Sequence, residues 1–125
     1  MEYLWVGLGG LLGANARFLL TRLVVERVGA AFQYYGTFLV NATGSVAIGV
    51  LLTVLIARVA DPAWRLGLVT GFLGGYTTFS SYSFEAVGLM MEGRWGRAAL
   101  YVLGSNLLGL AGCWAGVMLG RGLVR

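Results

Sequence analysis

Four long apolar segments fill most of the chain, and they restrict it to very few folds. They run over about residues 3–25, 35–57, 63–91 and 98–119, and short charged turns separate them. Each segment is long enough for an α-helix to cross the bilayer core, which takes roughly 20 residues. Because lipid cannot hydrogen-bond a free backbone, such segments must satisfy their amides within helices. The sequence therefore predicts an all-α membrane protein, one domain over residues 1–125 with four transmembrane helices.

The composition agrees with a membrane protein and excludes several other classes. Of the 125 residues, 58% are hydrophobic and 11% are charged, whereas a soluble domain carries about 25% charged residues. The nine basic residues are all arginines and are scattered singly, so no nucleic-acid partner is expected. The chain has no histidine, the commonest general base and metal ligand. We therefore expect the protein not to be an enzyme.

Residues 71–85, with the sequence GFLGGYTTFSSYSFE, do not suit an apolar span. Five hydroxyl side chains fall within seven residues: Thr77, Thr78, Ser80, Ser81 and Ser83. The pair Gly74 and Gly75 predicts a break of the third helix here, because glycine holds a helix poorly. At membrane depth, a broken helix with clustered hydroxyls is tolerated where it faces protein or a watery cavity. The stretch is the candidate working site, although hydroxyls also bond back to their own helix.

Two ionisable residues lie within the apolar segments. Arg17 lies past the middle of the first segment, where a cation is costly unless it snorkels or finds a partner. It is either an interface anchor or a positive charge that draws anions into a vestibule. Glu85 ends the polar run of the third segment, and a buried carboxylate usually pairs or becomes protonated. Its partner cannot be named from the sequence.

Two other segments carry polar stripes whose members recur every four residues, which places them on one helix face. The stripes are Thr37, Asn41 and Ser45 in the second segment and, more weakly, Tyr101 and Ser105 in the fourth, with Asn106 beside them. The Asn41 amide can donate two hydrogen bonds where donors are scarce. It could join helices together or face an anion.

Glycine gives the packing signal. The chain has 21 glycines, and small residues four apart let membrane helices approach closely. Three such series are Gly9 and Gly13; Gly67, Gly71 and Gly75; and Gly112, Gly116 and Gly120. These positions predict close helix contacts rather than chemistry.

The arginines give no preferred orientation in the membrane. With Arg17 set aside, one face would carry Arg58, Arg65, Arg121 and Arg125, and the other would carry Arg22, Arg27, Arg94 and Arg97. Since basic loops normally stay inside the cell, an even balance indicates a chain that inserts both ways. Such a chain could pair with an antiparallel copy of itself.

The chain resembles the Fluc (CrcB) family of fluoride channels. Three motifs carry the resemblance: GGLLGANARF in the first segment, GTFLVNATGSVAIG in the second and GFLGGYTTFSSYSFE in the third. The resemblance implies an antiparallel, dual-topology homodimer in the lipid bilayer of the plasma membrane (the cell inner membrane), crossing it several times. It also implies passive, selective export of fluoride through two narrow pathways, which would protect the cell from fluoride.

The resemblance also implies roles for individual residues. Phe79 and Tyr82 stand where the family has its two pore phenylalanines, so Tyr82 is a departure that adds a hydroxyl. Asn41 matches the pore asparagine and Arg17 the vestibule arginine. Other pore-lining or pore-adjacent polar groups would be Thr37, Ser80, Glu85, Tyr101 and Ser105. The backbone carbonyls of Gly74 and Thr77 would hold a structural sodium ion at the dimer centre.

Two other classes of protein share some of these features. A small four-helix multidrug or cation exporter would need a membrane-embedded carboxylate, and Glu85 is the one acid in such a position. A structural subunit of a larger membrane complex would give no ion flux when purified. The sequence argues still more strongly against an intramembrane enzyme, because the chain has neither histidine nor a plausible Ser–Lys pair.

Overall fold

The computed structural model describes residues 1–59 and 61–125, and every regular element in these ranges is a helix. The prediction of an all-helical protein is confirmed. The elements are α1 (Glu2–Val28), a 3-10 helix (Ala30–Phe32), α2 (Tyr34–Arg58), α3 (Pro62–Trp64), a π-helix (Arg65–Leu73), α4 (Gly74–Tyr76), α5 (Phe79–Met91) and α6 (Trp95–Val124).

Local sequence signals explain several helix ends. Gly29 after α1 and Gly93 after α5 have positive φ angles of 91° and 73°, which glycine adopts without steric cost. At the start of α3 the Asp61 side chain accepts a hydrogen bond from the Ala63 amide at 2.9 Å. Pro62 follows it at the first helical position, where its missing N–H is not needed. The predicted helix start at Pro62 is confirmed.

The helices pack in two pairs that glycines bring close together. α1 lies along the π-helix and α4, and α2 lies along α6. A Cβ atom added at Gly13 would collide with the Phe72 carbonyl oxygen, and one at Gly116 would collide with the Val46 carbonyl oxygen. These positions therefore allow direct backbone contact between helices, as the glycine spacing predicts.

The third apolar segment is not a continuous helix. Its first half runs through α3, the π-helix and α4 to Tyr76, and its second half is α5, which begins at Phe79. Between them the backbone is extended, with φ and ψ of −79° and 157° at Thr77 and −150° and 119° at Thr78. The helix break is therefore these two threonines.

The predicted position of the break, at Gly74-Gly75, is wrong by a few residues. Gly74 is helical, with φ of −62° and ψ of −38°. Gly75 instead serves close packing, since an added Cβ would lie 2.7 Å from the Gly10 carbonyl oxygen of α1. The break follows from Thr78, which caps α5 and whose backbone bonds to a side chain of another helix.

Large apolar side chains cover the outside of the chain. Leu11, Leu100 and Leu110 are 61%, 75% and 73% exposed, and an apolar surface this extensive needs lipid or another protein against it. Within the described residues, three helices are long and apolar enough to cross a membrane: Glu2–Val28, Ala30–Arg58 and Trp95–Val124. A fourth crossing by the broken segment, and the single-domain organisation, remain predictions.

Candidate functional site: a polar region around the helix break

Asn41 of α2 holds the helix break through two hydrogen bonds. Its Nδ2 donates to the Thr78 carbonyl oxygen at 2.9 Å, and its Oδ1 accepts from the Thr78 amide at 2.8 Å. Thr78 is buried, so its backbone groups need partners there. The amide of Asn41 thereby replaces the helical hydrogen bonds that the break removes. The Asn41 side chain therefore joins α2 to the break in the third segment, which is one of the two roles that the sequence left open.

A small hydroxyl cluster lies at the start of α5. The Thr78 hydroxyl accepts from the Ser81 amide at 3.2 Å, the usual action of an N-cap threonine. It also lies 3.3 Å from the Ser80 hydroxyl and 3.2 Å from the Ser81 hydroxyl. Ser80 and Ser81 are exposed in the single chain. Their side chains therefore lie at the surface beside the break.

Some of the polar side chains do bond back to their own helix. The Thr77 hydroxyl donates to the Leu73 carbonyl oxygen at 2.8 Å, the Ser83 hydroxyl to Phe79 at 2.9 Å, and the Ser45 hydroxyl to Asn41 at 2.8 Å. This is the ordinary behaviour of such residues in membrane helices. It accounts for these three side chains, and it leaves the cluster around Thr78 to be explained.

Arg17 points from α1 towards the break. Its Nη1 donates to the Thr77 carbonyl oxygen at 3.3 Å, so the guanidinium has a partner inside the protein. A groove of about 540 Å³ runs beside it and is also lined by Thr37, Ser80 and Glu85. A positive charge that lines a groove attracts anions to it.

Glu85 has two hydroxyl partners that the sequence did not identify. Its Oε1 accepts from the Thr37 hydroxyl at 2.9 Å and its Oε2 accepts from the Tyr101 hydroxyl at 2.7 Å. Thr37 and Tyr101 are both buried. The network joins α2, α5 and α6 and gives each oxygen of the carboxyl group a donor, which reduces the cost of placing this group within the helices.

Aromatic rings extend from the break along the helices. The ring centroids of Phe79 and Tyr82 are 5.5 Å apart, and those of Tyr82 and Tyr101 are 5.4 Å apart. Such spacings suit tilted aromatic pairs. Phe79 is 78% exposed in the single chain, although it lies next to the hydroxyl cluster. Its ring edge is therefore available to a molecule outside this chain.

The residues at the break suit a small cation bound by carbonyl oxygens. The Thr78 amide bonds to Asn41, so the Gly74 carbonyl oxygen lacks its usual helical donor four residues on. Freed carbonyls at helix breaks are known ligands of sodium in membrane proteins. The Thr77 oxygen already accepts from Arg17, but a carbonyl oxygen has two lone pairs. Among the described residues no group of three or more His, Cys, Asp or Glu could hold a metal.

Two residues with little or no part in the site predicted from the sequence are important in the structure. Thr78 is predicted only as one of five hydroxyl residues, yet it caps α5 and its carbonyl oxygen accepts a hydrogen bond from Asn41. Its signal is a threonine directly before the helical run that begins at Phe79, since threonine is a preferred N-cap residue. Asn106 was noted beside a stripe and donates to the Tyr82 hydroxyl at 2.9 Å.

Ser105 differs from the other predicted polar residues of the site because its hydroxyl forms no hydrogen bond within the described residues. Its hydroxyl is buried and has no hydrogen-bond partner in the parts of the chain that the structure describes. A buried hydroxyl without a partner is uncommon in proteins. Ser105 is thus free to bond a ligand or water.

An apolar exterior, a broken helix and a polar region within the helices define an integral membrane protein of the kind that moves a small solute. Residues 4–117 match the family model described as CrcB-like protein, Camphor Resistance (CrcB). The chain belongs to this family, which confirms the resemblance.

Curated relatives cover almost the whole chain. A protein of Acidobacterium capsulatum is 46% identical over 99% of this chain and 99% of its own length. A protein of Solibacter usitatus is 48% identical over 97% of this chain and 99% of its own. One of Koribacter versatilis is 46% identical over 99% and 95%. All three are named fluoride-specific ion channel FluC.

Proposed function

We propose that this chain forms a fluoride-selective channel through which fluoride leaves the cytoplasm passively across the plasma membrane. Full-length similarity to relatives named fluoride-specific ion channels supports the substrate. The observation that carries the proposal on the structural side is the set of hydroxyl donors around the break, with Arg17 beside them.

The chemistry of these groups suits fluoride. A small, strongly hydrated anion enters a narrow pathway only if donors replace its water. The exposed hydroxyl of Ser81, which accepts from Thr78, and the unpartnered hydroxyl of Ser105 can donate in this way. The edge of the Phe79 ring carries partial positive charge and can also face an anion. Conduction needs several weak sites rather than one strong one, and these groups are neutral donors.

The active form is an antiparallel, dual-topology homodimer. Exposed Ser80 and Ser81 beside exposed Phe79 form a mixed polar surface, and such a surface at membrane depth must face protein or water rather than lipid. A second copy of the chain would cover it. The equal distribution of arginines supports insertion in both orientations.

A sodium ion at the dimer centre completes this proposal. The carbonyl oxygens of Gly74 and Thr77 would hold it, and when bound it would satisfy the Gly74 oxygen, which the break leaves without its helical donor. Its role would be structural, since carbonyl ligands from two copies would join them.

The state of Glu85 argues against the cation exporter. Proton-coupled export needs a carboxyl group that is free to exchange protons and cations, whereas Glu85 lines a groove that the cationic Arg17 also lines. Here both oxygens of Glu85 accept hydrogen bonds from buried hydroxyl groups. The carboxyl group is therefore engaged in joining helices.

Fluoride efflux from liposomes that contain only the purified protein tests the proposal. Fluoride should leave the vesicles rapidly once a counter-ion pathway is opened, and chloride in matched vesicles should stay inside. Equal efflux of both anions would refute selectivity. No fluoride efflux from protein that is monodisperse and folded would refute the channel and favour a structural subunit.

A further inference from the structure

The hydroxyl of Tyr82 has a defined donor partner in Asn106. The Asn106 Nδ2 lies 2.9 Å from the Tyr82 hydroxyl oxygen and 2.8 Å from the Val102 carbonyl oxygen. Because a carbonyl oxygen can only accept, the atom beside it must be the amide nitrogen. An amide nitrogen has two hydrogens and accepts none, so both are used, and the Tyr82 oxygen is the acceptor of its pair.

The direction of this hydrogen bond leaves the hydrogen of the Tyr82 hydroxyl unused. In the described parts of the chain, the Tyr82 hydroxyl makes no hydrogen bond other than the one that it accepts from Asn106. The neighbouring phenol differs, because the Tyr101 hydroxyl donates its hydrogen to Glu85 at 2.7 Å. The Tyr101 hydroxyl therefore uses its hydrogen within the protein, whereas the Tyr82 hydroxyl can still donate its hydrogen.

The free hydrogen lies in the part of the molecule that would carry fluoride. The Tyr82 ring lies between those of Phe79 and Tyr101, with centroids 5.5 and 5.4 Å away. Tyr82 is half-buried and Asn106 is exposed in the single chain. An amide that donates to a phenol oxygen also polarises the O–H bond and strengthens it as a donor.

We infer that Asn106 is a positioning residue that turns the Tyr82 hydroxyl so that its hydrogen serves as a donor to the permeating anion. Asn106 acts through Tyr82 and not by contact with the anion. The inference rests on the proposed fluoride function and adds a residue pair to it. It also gives a use to the hydroxyl that sets Tyr82 apart from phenylalanine.

A double-mutant cycle tests this inference. Asn106→Leu removes the donor at similar size, and Tyr82→Phe removes the hydroxyl and keeps the ring. Each should lower fluoride efflux about two- to tenfold, the effect of one hydrogen bond. The double variant should be no slower than either single variant, because both changes remove the same donor. Such non-additivity measures coupling between two groups.

Two further variants make the result decisive. Asn106→Gln keeps an amide donor and should restore part of the flux. Asn15→Leu is the matched control, because the Asn15 Nδ2 also donates to a carbonyl oxygen of its own helix, that of Leu11 at 2.7 Å. It should conduct as the unchanged protein does. If Asn106→Leu does not fold, Tyr82→Phe alone still tests the inference, because unchanged efflux from that folded variant shows that the hydroxyl donates nothing to the anion.

The outcomes separate this inference from the proposed function. No fluoride efflux from the unchanged protein refutes the channel itself. Normal efflux in Asn106→Leu refutes the inference while the channel stands. A double variant whose loss is the product of the two single losses shows that Asn106 acts independently of the Tyr82 hydroxyl, and also refutes it.

Discussion

Replacing Asn41 with leucine should open the helix break and lower both stability and fluoride flux. The substitution removes the amide at nearly constant size. Thr78 then loses the partners of its amide and of its carbonyl oxygen, which the Asn41 side chain contacts at 2.8 and 2.9 Å. Because Thr78 is buried and its backbone is extended, no helical partner can replace them.

The size of the effect follows from these two groups. A buried polar group left without a partner costs about 1–3 kcal/mol. Two such groups predict a loss of about 2–6 kcal/mol in the free energy of unfolding. Fluoride flux should fall as well, because Phe79 and the hydroxyl cluster follow Thr78 directly in the chain.

Thr53→Val on the same helix is the matched control. The Thr53 hydroxyl bonds back to the Gly49 carbonyl oxygen at 2.7 Å, so its loss should change stability by about 0.5 kcal/mol or less. Unfolding of both variants can be followed by tryptophan fluorescence in mixed micelles, and fluoride efflux in liposomes. If Asn41→Leu unfolds at the same denaturant concentration as Thr53→Val and conducts normally, Asn41 does not hold the break.

Three other predictions address the ring, the cation and the orientation. Phe79→Ile should cost at most a few kcal/mol of folding stability, because another large apolar side chain replaces the ring, and should slow fluoride efflux about tenfold or more through loss of the ring edge; flux near normal in a dimeric variant would contradict this role. Dimers should withstand heating better in sodium than in a large organic cation, and equal midpoints in both would count against the site at Gly74 and Thr77. A C-terminal tag should be labelled from both sides of the membrane in comparable amounts, and two or three added lysines at that end should bias insertion and reduce flux; labelling from one side alone would exclude dual topology.

The helical fold and most members of the polar region could be predicted from the sequence alone. Long apolar segments in a bilayer form helices, because their backbone groups must be hydrogen-bonded internally. Hydroxyls concentrated in one such segment indicate a functional site. Spacing of four residues correctly put Thr37 on a helix face that reaches the site, where it meets Glu85. Such arguments work because they depend on residues close together in the chain.

The position of the break and the pairing of side chains could not be predicted in this way. Paired glycines pointed to Gly74-Gly75, but the break lies where Asn41, 37 residues earlier, bonds to Thr78. The partners of Glu85 are 48 and 16 residues away. Which side chains meet across such distances is decided by how α2, α5 and α6 pack, and periodicity within one segment carries no information about that.

The π-helix Arg65–Leu73 has more residues per turn than an α-helix, and this keeps three glycines of the third apolar segment in line along α1. In an α-helix, a step of four residues overshoots one turn of about 3.6 residues. In a π-helix, whose hydrogen bonds reach five residues along, a turn is longer and the same step falls short. Gly67 and Gly71 lie in the π-helix and Gly75 in α4, and an added Cβ at each would meet α1. The overshoot and the shortfall have opposite signs and partly cancel, so all three glycines face α1. The change from π-helix to α-helix thereby determines the direction from which the chain enters the break.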